Sequence, residues 1–552
     1  MPQILRFVQT ILLAIGLVAV ANATQSDTKT LRVFIFAGQS NMVGSHSRAN
    51  DIKLFPPFAG LDQPQENVMY SYSIGREDMN SSNGWTTLKP LGNVIGPEVS
   101  FARKVAQTTK APIAIIKCAS GGTTLGEDWN PDTPGGFKLY PLALQLIRSS
   151  LAELDRKGIR YRVEGFMWHQ GENDMFSRDF KPAYAKNLKN FLASWRRDLN
   201  LPKLNFYIGE LCTKTVWGMD NRENMHAIRT AQKAVTAEDP NAEYIPTSQN
   251  AVEIGDGAGL HYHYGTLGQL QHGEGYANAY LQKIGKLTPR SRPLKTWPLP
   301  KSSRVKLFIL AGHRNMEGER AFRADLLTSP ATAILAKDNP KIPFKYNLGG
   351  GNTVSRGWEP LGVAGAFNTF GPELSFGQQL QAAMIGNIAI AKFTHSGSQV
   401  NDWTPAGTSA TDQNQYRPFI DFITQSVKEL ESKGHQVELV GIFYHVGEND
   451  MAYGPYRRQI SKWLKETVSQ SRIDLADPKL KWFVSQQAPS EAIGPREPKI
   501  EDELAAMAAA DSSFIHIPTT DLPPQREKIV ITTPGTIKLG EILARSYITR
   551  LH

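Results

Sequence analysis

Cysteine is nearly absent: 552 residues contain two, Cys118 and Cys212. That excludes a scaffold stapled by several disulfides. Each cysteine falls near the end of a strand-like apolar run, so two buried free thiols are expected, with a single disulfide between them, as exported proteins can form, the alternative. After residue 25 no apolar run approaches the roughly 20 residues that a membrane helix needs. The chain carries a formal charge of +9, yet Lys and Arg are scattered, with no dense basic run interleaved with aromatics. Nucleic acid is therefore not the expected partner. With 41% hydrophobic and 20% charged residues the balance is that of a folded globular protein, and the length calls for two domains.

The chain does have an N-terminal "MPQILRFVQTILLAIGLVAVANATQ". Arg6 supplies a basic n-region, Ile11 to Val20 an apolar h-region, and Ala21-Asn22-Ala23 an A-x-A site. The expectation is a signal peptide cut after Ala23 and a mature protein that is secreted or periplasmic, with no membrane span.

It also has a long internal repeat. "AGQSNMVG" at Ala37 returns as "AGHRNMEG" at Ala311, and "IGPEVSFARKVAQ" at Ile95 as "FGPELSFGQQLQA" at Phe370. "IAIIKCASGGTTLGEDW" at Ile113 is answered by "IAIAKFTHSGSQVNDW" at Ile388, and "VEGFMWHQGENDM" at Val163 by "LVGIFYHVGENDM" at Leu439. "GQLQHGEGYANAY" at Gly268 is answered by "GTIKLGEILARSY" at Gly535. Order and spacing are kept, which indicates a duplicated domain. The first copy is expected over 30–290 and the second over 303–552, with a Pro-rich basic linker at 291–302.

Within the first copy, "LRVFIFAG", "IAIIKCAS", "VEGFMWHQ" and "LNFYIGEL" read as strands buried on both faces. "EVSFARKVAQ", "LALQLIRSSLAELDRK" and "AKNLKNFLASWRRD" read as helices. Alternation of the two predicts an α/β fold with a parallel sheet between helix layers. Every shared motif then falls at a strand's carboxyl end, on the rim where such sheets bind ligands.

Ser40 at the centre of the first loop is either a helix N-cap or a nucleophile. It is not in the G-x-S-x-G elbow of α/β-hydrolases, because Met42 replaces the final glycine. Taken in order, the blocks "GQSNM", "SGGTT" and "HQGE", with a histidine before the last helix, resemble the SGNH hydrolases. The likeness is to the sialate O-acetylesterase-like branch that includes carbohydrate esterase family 6. It implies two tandem flavodoxin-like α/β/α domains, a serine esterase acting on acetylated carbohydrate, and no metal or other cofactor. By the same resemblance Ser40 is the nucleophile, and the oxyanion donors are the N–H groups of Ser40 and Gly121 and the Gln170 amide.

His263 is expected to be the base, with Gly268, Gly273 and Ala277 following at family spacing. His261 in "LHYHYG" is the rival, and the two histidines have no acidic or thiolate companion at metal-ligand spacing. Many relatives carry an aspartate three residues before the histidine; here that position is Leu260. Glu172 is favoured as the acid and Asp256 is the alternative. Glu172 and Asp174 also have a structural reading, as acceptors that fix loop N–H groups. The other function classes are a non-catalytic carbohydrate-binding protein and an SGNH lipase or phospholipase. The absence of a long apolar lid segment, and Trp85 and Trp129 as sugar-stacking candidates, favour the esterase.

The second copy replaces Ser40 by Arg314, Gly121 by Ser396, Gln170 by Val446 and His263 by Val530, while His169, Glu172 and Asp174 persist as His445, Glu448 and Asp450. A catalytically dead second copy is expected. Its role is read as packing against the first; the alternative is substrate binding, with Arg314 pairing a uronate or sulfate.

Overall fold

The computed structural model describes residues 30–551, apart from 76–79, 213–214, 217–218, 253–262, 289–291, 487–499, 520–521 and 523–529. The leader expected at 1–23, and with it Asp256, Leu260 and His261, lies outside the described residues.

The first copy builds six parallel strands, β1 Leu31–Gly38, β2 Gln65–Ile74, β3 Ile113–Ala119, β4 Tyr161–His169, β5 Phe206–Gly209 and β6 Ala242–Ile245. They lie in the order β6-β5-β4-β1-β3-β2, with two short antiparallel strands on β2. Helices α1 Glu98–Thr109, α2 Leu139–Arg156, α3 Phe180–Asp198, α4 Arg222–Glu238 and α5 Gly265–Lys283 cover the sheet. The period-2 pleat of β1 explains the layering. Val33, Ile35 and Ala37 face Trp129, Trp168 and Phe191, while Phe34 and Phe36 face Phe101, Tyr276 and Tyr280. Both faces are dry, which is why the strand reads as one apolar run.

The second copy repeats the plan with β7 Arg304–Gly312, β8 Asn339–Leu348, β9 Ile388–Thr394, β10 Gln436–His445, β11 Trp482–Gln486 and β12 Phe514–Pro518. Here the order is β12-β11-β10-β7-β9-β8. Repetition reaches the register. The β1–β4 pairing shifts between Val33 and Phe34, and the β7–β10 pairing shifts between Leu307 and Phe308.

The retained "GPE" block has a packing reason in both copies. Lys117 on β3 pairs with Glu98 at 2.7 Å, and Lys392 on β9 with Glu373 at 2.7 Å, each pair buried. The two lysines also donate to the carbonyls of Val43 and Glu317, at 3.2 Å in each copy. Each pair ties the central sheet to the start of a helix and to the end of the loop that follows the first strand. A Cβ on Gly96 would run into this pair, so only glycine fits there.

Cys118 and Cys212 are both buried, and burial pushes the Cys118 thiol up to about 12. No helix among the described residues is long and apolar enough to cross a membrane.

Candidate active site

Three strand ends build the site. β1 stops at Gly38, whose φ is +150°, and a Cβ there would strike the His169 carbonyl oxygen at the end of β4. Its neighbour Gln39 donates its N–H to the same carbonyl at 3.1 Å. The chain then makes one helical turn, Ser40–Val43, closed by Gly44 donating to the Ser40 carbonyl at 3.0 Å. No side chain caps that turn, so Ser40 does not serve as an N-cap. Residue 121, just past β3, faces Ser40: a Cβ built on Gly121 would lie 3.6 Å from the Ser40 Cβ. Among the described residues neither the Ser40 N–H nor the Gly121 N–H has an acceptor.

Asn41 carries the link to the histidine. Its Nδ2 donates to Glu172 Oε1 at 2.7 Å, and its Oδ1 accepts the N–H of Tyr264, the residue after His263, at 3.2 Å. His263 is buried, and its Nδ1 lies 3.2 Å from Nδ1 of His46, an exposed residue six positions past Ser40 with φ of +62°. The two rings meet edge to face at 4.4 Å. Burial first, and His46 second, push the His263 pKa down to about 4, against an upward pull from Glu172. Sequence reasoning missed both Asn41 and His46. The signal for His46 was available, since the second copy replaces it by Arg320 along with the other site positions.

Glu172 directs Oε1 to Asn41 and, at 3.2 Å, to Nε2 of His169. Burial alone would raise this carboxyl, but His169 and Asn41 outweigh it and hold it below the usual range. Glu172 therefore reaches His263 through Asn41 and through space. Gln170 departs from expectation. Its amide nitrogen is held by Gln39 Oε1 at 3.2 Å, Thr123 O at 3.0 Å and a short contact to Asp174, so its two N–H bonds are engaged inside the loop cluster. A fixed carboxylate is the stronger acceptor, and it takes the amide that was expected to face an oxyanion. Asp174 also accepts the N–H groups of Leu125 and Gly126, the loop-fixing role anticipated for it. Burial pushes its pKa to about 6 against those donors. Trp129 is fully buried against Trp168, and Trp85 donates to the Ser150 carbonyl at 3.0 Å, so Trp129 is core rather than a sugar platform.

The sequence model of the family described as "Carbohydrate esterase, sialic acid-specific acetylesterase" matches residues 30–282 and again 304–549. The chain belongs to this family, with two copies of its domain. A probable carbohydrate esterase of Arabidopsis thaliana is 28% identical over 194 residues, covering 33% of this chain and 68% of its own length. Among solved structures, one of an Arabidopsis thaliana protein is 22% identical and covers 46% of this chain and 98% of its own, with a TM-score of 0.35. A carbohydrate acetylesterase from Xanthomonas citri is 16% identical, covering 48% and 59%, with a TM-score of 0.34.

The second esterase-family domain arranges the same positions differently. Asn315 still accepts the N–H of Ile531 at 2.9 Å, as Asn41 accepts Tyr264, so Val530 stands where His263 does. However, Glu448 takes the N–H groups of Arg314 and Asn315, each at 3.0 Å. Glu317, where the first domain has Val43, takes the N–H of Ser396 at 3.1 Å. Burial raises both carboxyls, Glu448 to about 8. The two N–H groups that correspond to Ser40 and Gly121 are thus filled from within. Arg314 is 2% exposed, donates to Asn449 Oδ1 at 2.9 Å and pairs with Glu319 at 2.8 Å.

Proposed function

We propose that the first domain is an exported serine esterase that removes O-acetyl groups from carbohydrate, either an acetylated polysaccharide or a sialic-acid-type ester, and that the second domain is catalytically inactive. Ser40 Oγ attacks the acetyl carbonyl while His263 takes its proton. The oxyanion is held by the N–H groups of Ser40 and Gly121. Pre-aimed donors of this kind are worth about 3 kcal/mol each at the transition state. His263 then returns the proton to the departing sugar oxygen, leaving an acetyl-enzyme and a free sugar hydroxyl. Water attacks that ester, with His263 again as base, and acetate leaves. Glu172 orients the histidine-bearing start of α5 through Asn41, and Gln170 holds the oxyanion loop through Gln39 and Thr123.

The observation that carries this reading is the contrast between the two copies. The N–H groups of Ser40 and Gly121 are without acceptors among the described residues, whereas those of Arg314 and Ser396 donate to the carboxyl groups of Glu448 and Glu317. Export rests on the N-terminal sequence. Ser40→Ala is expected to abolish aryl-acetate hydrolysis and labelling by a fluorophosphonate, with the circular dichroism unchanged; undiminished turnover would overturn the assignment. A series of acyl lengths should favour acetyl, and a preference for long chains would point to a lipase.

A further inference from the structure

Among the described residues, 249–252 of the first domain lie over the vacated cleft of the second. Arg314 Nη1, besides pairing with Glu319, donates to the carbonyl of Val252 at 3.2 Å. Three residues earlier, Gln249 is seated on the Gly349–Gly351 turn. Thr353 Oγ1 donates to Gln249 Oε1 at 2.9 Å, and any Cβ on Gly349, whose φ is +60°, would overlap the Gln249 side chain. That turn is held in place by Glu317, which accepts the Gly349 N–H at 3.1 Å with the same oxygen that fills the former oxyanion position.

A second point on the old rim is covered in the same manner. Arg222, at the start of α4, sends Nη1 to Asp402 at 2.7 Å, Asn401 at 2.8 Å and Gln399 at 3.2 Å, with its guanidinium 5.2 Å from the Tyr456 ring centre. From its own domain, the 247–252 segment is pinned by Glu210, which accepts the N–H groups of Thr247 at 2.7 Å and Ser248 at 3.0 Å. Gln271 on α5 accepts the Ala251 N–H at 2.7 Å. Val252 and Tyr264, the residue after His263, lie in one buried apolar cluster with Cys212. Val252 is tied to Arg314, and Tyr264 is tied to Asn41 beside the nucleophile.

We propose that the second domain works as a clamp for residues 247–252 of the first, and that Arg314 is a positioning residue for His263, acting through Val252 and the Tyr264 side chain packed in the same cluster. The inference rests on the reading of His263 as the base. It gives the arginine at the old nucleophile position a structural partner within the chain, in place of an acidic sugar. The three substitutions that fit the clamp arrive together. Val43 becomes Glu317, which sets the turn that seats Gln249; Ser40 becomes Arg314, which reaches the carbonyl; and Ser45 becomes Glu319, which balances the buried guanidinium.

The test uses the full chain. Arg314→Met is made together with Glu319→Gln, so that no carboxylate is left buried without its partner. Gln249→Ala is made separately, because it loosens the clamp without touching a charge. With an aryl acetate as probe, kcat is expected to fall about 10- to 100-fold in the double variant and several-fold in Gln249→Ala, with KM within about twofold of the parent, as for a misplaced catalytic group. The acid limb of kcat/KM should also move to higher pH, since a displaced imidazole regains water, and Arg314→Lys should recover part of the loss. Unchanged kcat and an unshifted acid limb in folded variants would overturn the clamp. Should the double variant fail to fold, Gln249→Ala decides on the same two readouts. Ser40→Ala in parallel separates the two ideas: its inactivity keeps the esterase reading even if the Arg314 variants are inert, and its activity removes that reading.

Discussion

Glu448 holds a carboxyl oxygen 3.0 Å from the backbone N–H of Arg314, the donor that corresponds to the N–H of Ser40 in the first domain. Its counterpart Glu172 has the same neighbours in sequence, yet it binds the side chains of Asn41 and His169. One glutamate therefore serves two structures, which explains why a copy without a nucleophile keeps it.

Restoring the serine alone should not restore chemistry in the second domain. In a Ser40→Ala background, Arg314→Ser is expected to give no fluorophosphonate label and no acetate release above background. Glu448 and Glu317 still occupy both N–H groups, and Val530 offers no base. Mass-spectrometric detection of a label on residue 314 would contradict this.

The pH profile follows from the His263 environment. A base works when neutral, and burial with His46 beside it brings the His263 pKa down to about 4. The acid limb of kcat/KM for aryl acetate should therefore lie near pH 4, well below the ordinary histidine value of about 6.5. His46→Ala removes a neighbour that lowers this pKa, so the limb should move to higher pH. A limb that stays in place or moves down would show that His46 does not act on His263.

Asn41→Ala should separate folding from catalysis only in part. It removes the donor to a buried carboxylate and the acceptor for the Tyr264 N–H. A loss of about 1–3 kcal/mol in unfolding free energy is expected from the groups left unsatisfied. The larger effect should be a fall of about 100-fold in kcat from the loosened histidine. Denaturant titration and steady-state kinetics on the same preparation test both numbers.

The buried Lys117–Glu98 pair gives a stability prediction independent of catalysis. Lys117→Met strands a buried carboxylate and should cost about 3–5 kcal/mol, whereas Lys117→Met with Glu98→Gln should recover much of that loss. The same pattern is expected at Lys392 and Glu373, because that pair repeats the geometry at 2.7 Å. Comparing Tm across the four variants checks it.

The strands and helices of the rim were legible because the signal for each is local. "LRVFIFAG" is apolar at every position, and β1 runs from Leu31 to Gly38, buried throughout. The duplication was legible as well, since matching blocks lie in order at matching distances. Gln170 was not: its residue type suits an oxyanion donor, but which acceptor captures an amide depends on Asp174 and Thr123, from two different loops. Arg314 was read only in part. Packing between the copies was expected, but an arginine beside a strand end fits a sugar acid as well as a carbonyl of the preceding domain.

By itself, the sequence determined the two α/β domains, the rim on which the motifs gather, and the simultaneous loss of Ser40, Gly121, Gln170 and His263 from the second copy. These are properties of residue type and spacing along one chain. Only the tertiary structure decided where Glu172 and Glu448 point, that the His46 ring meets the His263 ring, and that Arg314 ends on Val252. The contacts of Glu172 with Asn41, Glu448 with Arg314, His46 with His263 and Arg314 with Val252 each join residues more than 60 positions apart, and the partner is fixed by how the strand ends and the two domains pack. Pattern along the chain sets which groups are available; packing sets which of them meet.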